Sequence, residues 1–140
     1  MNFNFNDIKP EDYNKETFGK CIRKRREELG RSVRDVAKSI EMSPVYLSDI
    51  ERSNRSAPTG SNNKIDYLDR LVTQLQIQPE EVHAFYAMAE ATSGRFADVN
   101  SYLSKKPIAR MALRIADELN VPDDEWLDFI ELIRGKYETT

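Results

Sequence analysis

Residues 42–53, MSPVYLSDIERS, gather four hydroxyls (Ser43, Tyr46, Ser48, Ser53), two carboxylates (Asp49, Glu51) and a guanidinium (Arg52) in one short stretch. The stretch has the form of a short helix opened by Ser-Pro, and the look of one that enters a DNA groove. The residue sets that catalysis needs are missing elsewhere. His83 is the sole histidine, and one His without clustered Cys or carboxylates is a poor metal site. It reads as a structural or surface residue. Cys21, the one cysteine, fits a small core residue better than a nucleophile, and it rules out an intrachain disulfide. There is no Gly-rich phosphate loop. Asp123, Asp124 and Glu125 lack the alternate-residue spacing of a calcium loop and read as helix-start charges. No enzyme activity, cofactor or metal is expected.

Charge at first argues against a polyanion partner. The formal net charge is -3 and the pI near 5.3, whereas DNA carries about one negative charge per 1.7 Å of duplex axis. The average hides an asymmetry. Residues 1–60 hold 12 Lys+Arg against 10 Asp+Glu, a balance of +2, and residues 61–140 hold 9 against 14, a balance of -5. Within 18–56 the count is 10 against 6, or +4. The positive balance surrounds MSPVYLSDIERS, and a charge split between halves points to one part that faces a polyanion.

The elements that position this stretch follow from periodicity. No useful strand-like alternation occurs after residue 15, and apolar residues recur at helical spacing. Phe18, Cys21, Ile22 and Leu29 share one side of a helix that Gly30 ends. Ser32 is an N-cap for a second helix with inner face Val33, Val36, Ala37 and Ile40. Ser43 caps a third, with Pro44 at the first helical position, where its missing N–H would be unpaired anyway. Leu47 and Ile50 point inward. Residues 53–63, SNRSAPTGSNN, read as a loop. Ile65, Leu68, Val72 and Leu75 mark a fourth helix. Pro79 opens a fifth, with Val82, Phe85, Tyr86 and Ala89 inside, and ATSG (91–94) breaks the pattern.

Around the third helix the run IRKRREELGRSVRDVAKSIEMSPVYLSDIERS resembles the DNA-binding domain of the lambda-type repressor and Cro family. The matching features are Ile22-Arg23 and Arg26 before Gly30, Gly30-x-Ser32, Val36-Ala37, Ser43, Tyr46-Leu47-Ser48 and Ile50-Glu51-Arg52. The resemblance covers roughly residues 17–90. Departures are Val33, where the family often has Gln against the DNA backbone, and Ser53, where it often has Gly. The implied fold is all-α: a five-helix lambda-repressor-like domain with a short C-terminal helical extension.

The resemblance also implies roles. Arg26 and Glu51 form a partly buried ion pair that fixes the angle of the third helix. That helix, 44–53, enters the major groove with its N-terminal residues toward base edges. Ser43 and Ser48 donate or accept there, Pro44 and Val45 lie at the surface of contact, and Val45 can meet a thymine methyl. Tyr46 reaches a base edge or a phosphate. Asp49 accepts from cytosine N4, and Arg52 reaches a base or a phosphate. Arg31, Ser32, Arg34, Asn54 and Arg55 hold the DNA backbone, which positions without specifying. Arg23, Lys24 and Arg25 read as a solvated face.

Residues 1–14 are expected to form an N-terminal arm, 15–91 the helix-turn-helix domain, and 95–140 a C-terminal helical region for dimerisation or partner binding. In the tail, Val99, Tyr102 and Leu103 mark a short helix. Pro107 starts another with Ile108, Ala112, Ile115 and Leu119, and Pro122 the last, with Trp126, Phe129, Ile130 and Ile133. Three short helices bury little alone, so they should pack on the first domain, a second copy or a partner. The function expected is a sequence-specific transcriptional repressor binding a palindromic double-stranded DNA operator as a homodimer. The alternative is an antitoxin that binds its toxin through the C-terminal helices and represses its own operon; a regulatory peptidase is another candidate partner for residues 95–140. MNFNFNDIKPEDYN is no secretory signal and no apolar run nears the roughly 18 residues of a membrane span. A cytoplasmic location without membrane contact is expected.

Overall fold

Capping side chains set the start of each helix near the N-terminus. In the computed structural model, which describes residues 2–59, 66–93 and 97–138, the Asn14 side chain accepts from the Thr17 N–H at 2.8 Å and opens α1, Lys15–Glu28. Ser32 Oγ accepts from Asp35 N–H at 3.0 Å and opens α2, Val33–Ser39. Ser43 Oγ accepts from Tyr46 N–H at 3.1 Å and opens α3, Pro44–Glu51, with Pro44 in its first turn. Each satisfies a donor that the helix cannot pair internally. α4 spans Tyr67–Gln74 behind an Asp66 cap. Pro79 opens a 3-10 turn, Pro79–Glu81, that leads into α5, Val82–Ala91. Ile65, expected in the fourth helix, lies outside the described residues. So do residues 60–63 of the expected loop and the start of the tail at Arg95.

The chain divides into two compact units, Met1–Ala97 and Asp98–Thr140. The first holds the core. Phe18, Cys21 and Ile22 from α1 meet Val36, Ala37 and Ile40 from α2, Leu47 and Ile50 from α3, Leu68, Leu71 and Leu75 from α4, and Phe85, Met88 and Ala89 from α5. Burial pushes the Cys21 thiol up to about 11, as expected of a protonated core residue. Two helices approach closely at Gly19, where a Cβ would stand 2.5 Å from the Ile50 carbonyl oxygen. Only a glycine lets α1 lie so near the end of α3.

Residues 2–14 of the expected N-terminal arm are packed rather than extended. They fold over the first unit through two 3-10 turns, Phe5–Asp7 and Pro10–Asp12. Phe5 is fully buried, edge-on to Phe85 with ring centroids 5.5 Å apart. Arg25 is the fastening. It is not on a solvated face but 1% exposed, paired with Glu81, itself 2% exposed. Arg25 Nη1 also donates to the Leu75 and Gln76 carbonyls, and Nη2 to the Phe3 carbonyl at 3.0 Å. Glu81 in turn accepts from the Phe5 N–H at 3.1 Å. One buried ion pair therefore joins the N-terminal segment, α1, the end of α4 and the start of α5.

The 53–59 stretch is also more ordered than a bare loop. Ala57, Pro58 and Thr59 are buried. Ala57 N–H donates to Thr92 Oγ1 at 2.9 Å, and Ser56 Oγ donates to the Thr92 carbonyl at 3.1 Å. The Thr-Ser pair that ends α5 thus anchors the chain leaving α3.

The second unit contains α6, Ala97–Lys105, α7, Pro107–Glu118, and α8, Asp123–Tyr137. The described residues form no strand. None of the apolar residues expected to line an inner side of α7 or α8 is buried.

Candidate nucleic-acid interface

α2 and α3 are joined by a tight turn, residues 40–43. Glu41 takes φ +61°, and Met42 N–H returns to the Ala37 carbonyl at 2.9 Å. This closes the last carbonyls of α2. α4 supports the turn from behind. Arg70 Nη1 donates to the Ile40 carbonyl at 3.0 Å, and Tyr67 donates its hydroxyl to the Glu41 carbonyl at 3.4 Å.

The tilt of α3 is set by Arg26 and Glu51. Arg26 Nε meets Glu51 Oε2 at 2.7 Å and Nη2 meets Oε1 at 2.8 Å, a two-pronged contact. Arg26 Nη1 donates onward to the Arg31 carbonyl at 2.8 Å. Glu51 is 5% exposed, and hydrogen bonding to it raises the Arg26 pKa further. The planar fork fixes angle as well as distance. Its net contribution to stability is small once desolvation is counted, so orientation is its principal effect. Arg23 adds a looser contact, Nε to Glu51 Oε1 at 3.5 Å.

With Leu47, Ile50 and Glu51 turned inward, helical spacing leaves Pro44, Val45, Ser48, Asp49 and Arg52 on the outer side of α3. Val45 is 69% exposed, unusual for a branched aliphatic residue. Asp49 is partly neutralised by Arg52, Oδ1 to Nη2 at 3.4 Å. Ser43 is exposed, its Oγ already accepting from Tyr46 N–H. Tyr46 sits at the flank rather than the crest: its ring lies 6.2 Å from Tyr67 and carries the Arg55 guanidinium 4.2 Å above its centroid. Such stacking holds a cation in place while leaving its edge N–H groups open. Ser32, Arg34 and Asn54 are exposed around α2 and the exit from α3.

Arg31, expected against phosphate, also makes contacts within the fold. Its Nε pairs with Asp35 at 2.6 Å, Nη1 donates to the Gln74 carbonyl at 2.9 Å, and Nη2 donates to Ser39 Oγ at 3.3 Å. It ties the turn after α1 to α2 and α4.

The stretch that holds this arrangement, residues 22–62, matches the Helix-turn-helix family model of the Cro/C1 type. The chain carries a lambda-repressor-like helix-turn-helix. That match supports a DNA-binding transcriptional regulator. No curated protein matches the chain. The helix-turn-helix departs from its family at Ser53, and the geometry shows what that departure means. Ser53 takes φ +66°, with Asn54 N–H returning to the Asp49 carbonyl at 2.8 Å. This is the left-handed position where glycine is the unstrained choice. No described helix is long and apolar enough to cross a membrane.

Two contacts, one at the interface and one in the core behind it, were not found in the sequence. The Tyr46–Arg55 stack joins residues nine apart across a helix end, and no local rule pairs them. Arg25 was within reach, because Phe18, Ile22, Arg25 and Leu29 follow one helical stripe. A charged residue on an apolar stripe asks for a buried partner.

Proposed function

We propose that this protein is a sequence-specific repressor that binds a palindromic operator as a homodimer, with α3 in the major groove. The observation carrying this is the division of α3. Glu51 faces inward to Arg26, while Pro44, Val45, Ser48, Asp49 and Arg52 are left to meet base edges. Ser43 and Tyr46 border that face. Ser32, Arg34, Asn54 and Arg55 are the phosphate contacts, with Arg55 pre-placed by Tyr46; Arg31 acts by holding α2. The proposed domains are an N-terminal arm over 1–14, of which residues 2–14 fold on the next domain, the helix-turn-helix domain over 15–91, and a pairing region over 95–140. Two copies place their third helices about one turn of DNA apart.

Selection of bound DNA from a random pool tests this, with footprint length reporting the number of half-sites. Asp49→Ala should relax preference at one position, whereas Arg55→Ala should weaken all sequences alike and lower the salt slope by about one. Equal losses on every sequence for both variants would defeat the reading. The exposed apolar residues of α7 and α8 favour a second reading, an antitoxin that holds a toxin there; a toxin gene beside this one and co-purification through the tail would mark it.

A further inference from the structure

The arginines around the helix-turn-helix are held in two different ways. Arg23 and Arg26 stand against Glu51, Arg31 against Asp35, Arg52 against Asp49 and Arg70 against Glu41. A carboxylate fixes a guanidinium but also offsets its charge. Arg55 is held differently. Among the described residues no carboxylate pairs with it, and its guanidinium rests 4.2 Å above the Tyr46 ring. An aromatic face holds a guanidinium without a full negative charge and leaves its edge N–H groups open. Arg55 thus keeps its charge at the exit from α3, where a phosphate is the matching group.

A platform is only as fixed as its own support. Tyr46 is half-buried on the flank of α3, and its ring meets that of Tyr67, centroids 6.2 Å apart and planes tilted by 46°. That separation lies within the range of interacting aromatic pairs. Tyr67 is the first residue of α4, next to Leu68 in the core. Its hydroxyl donates to the Glu41 carbonyl at 3.4 Å, so both ends of its side chain are tied. Tyr67 therefore links the core, through one ring and then another, to an exposed arginine. Ordering a long side chain before its partner arrives removes part of the entropy cost of binding.

We infer that Tyr67 is a positioning residue for DNA binding: it steadies the Tyr46 ring, which holds Arg55 for a phosphate. This rests on the DNA-binding reading above and adds a residue of α4 that need not touch DNA. The test uses the full chain, the duplex selected from the random pool and a duplex of unrelated sequence. Tyr67→Leu keeps apolar bulk but removes the ring. It should weaken binding to both duplexes about threefold, the scale of an exposed cation–π contact. In a chain already carrying Arg55→Ala, Tyr67→Leu should cause no further loss. Tyr67→Phe loses only the hydroxyl on the Glu41 carbonyl and should bind as the parent does. Without DNA, the Arg55 Nε–Hε heteronuclear NOE should exceed that of exposed Arg34, and Tyr67→Leu should lower it to the Arg34 level. An equal loss in the Arg55→Ala background, an equal loss for Tyr67→Phe, or an Arg55 as mobile in the parent as Arg34 overturns the inference. Coupling of Tyr67 to Arg55 in a chain that binds both duplexes equally would instead overturn the sequence-specific repressor reading.

Discussion

The two units use the same local grammar and reach opposite outcomes. In Met1–Ala97, apolar residues at helical spacing meet one another and are removed from water. In Asp98–Thr140, the same spacing, with proline at the start of α7 and acidic residues at the start of α8, yields helices whose apolar sides remain exposed. Amphipathicity thus shows that a helix needs a partner, without showing where the partner is. The first unit finds its partners inside the chain, and the Arg25–Glu81 pair and the Phe5 plug close that core.

The sharpest way to break the contrast is to remove Glu81. Glu81→Ala leaves Arg25 buried and unpaired and should destabilise the first unit by about 3–5 kcal/mol, read by denaturant unfolding. Ile130→Ala in α8 should shift that same transition by less than about 0.5 kcal/mol. Comparable losses would mean that the second unit belongs to the same cooperative core.

Helix ends give a finer comparison. Ser53 after α3 and Asn120 after α7 both adopt left-handed backbone, φ +66° and +53°. Asparagine tolerates that region better than serine. Ser53→Gly should therefore stabilise the first unit by about 1 kcal/mol, with a smaller gain from Asn120→Gly in the second. Thermal melts followed for each unit would show whether the gains stay local.

The smallest expected effect depends on pH. Asp66 hydrogen-bonds to Asp69 and repels its charge, pushing the Asp69 carboxyl up to about 6 from 3.8. A folded-state pKa above the unfolded value adds stability below pH 3.8, which is lost as pH rises through about 6. Asp69→Asn should raise the melting temperature at pH 7, and the gain should fade as pH drops toward 4. An undiminished gain at pH 4 would point to packing rather than charge.

Much of the helix-turn-helix was legible because its signals are local. Ser32, Ser43 and Pro44 act on donors within three residues of themselves, and the Val36–Ala37 and Leu47–Ile50 spacings repeat with the helix. The Arg26–Glu51 contact came from family resemblance, not from spacing. The packing of the N-terminal arm was not legible, because nothing in MNFNFNDIKPEDYN shows that Phe5 enters a core completed by α5. The contacts of Arg31 within the fold were not legible, because an exposed-looking arginine beside a phosphate-type cap gives no sign that Gln74 will arrive from α4.

By itself the sequence determined where helices begin and end, which sides are apolar, and that positive charge gathers around α3. Capping, periodicity and charge balance depend on residues a few positions apart. Only the tertiary structure decided that Phe5 and Glu81, 76 residues apart, share a hydrogen bond, and that Gly19 must lack a side chain where the end of α3 crosses. It also decided that the Arg55 guanidinium rests on Tyr46. These contacts depend on how helices approach in space, which is set by the whole core at once.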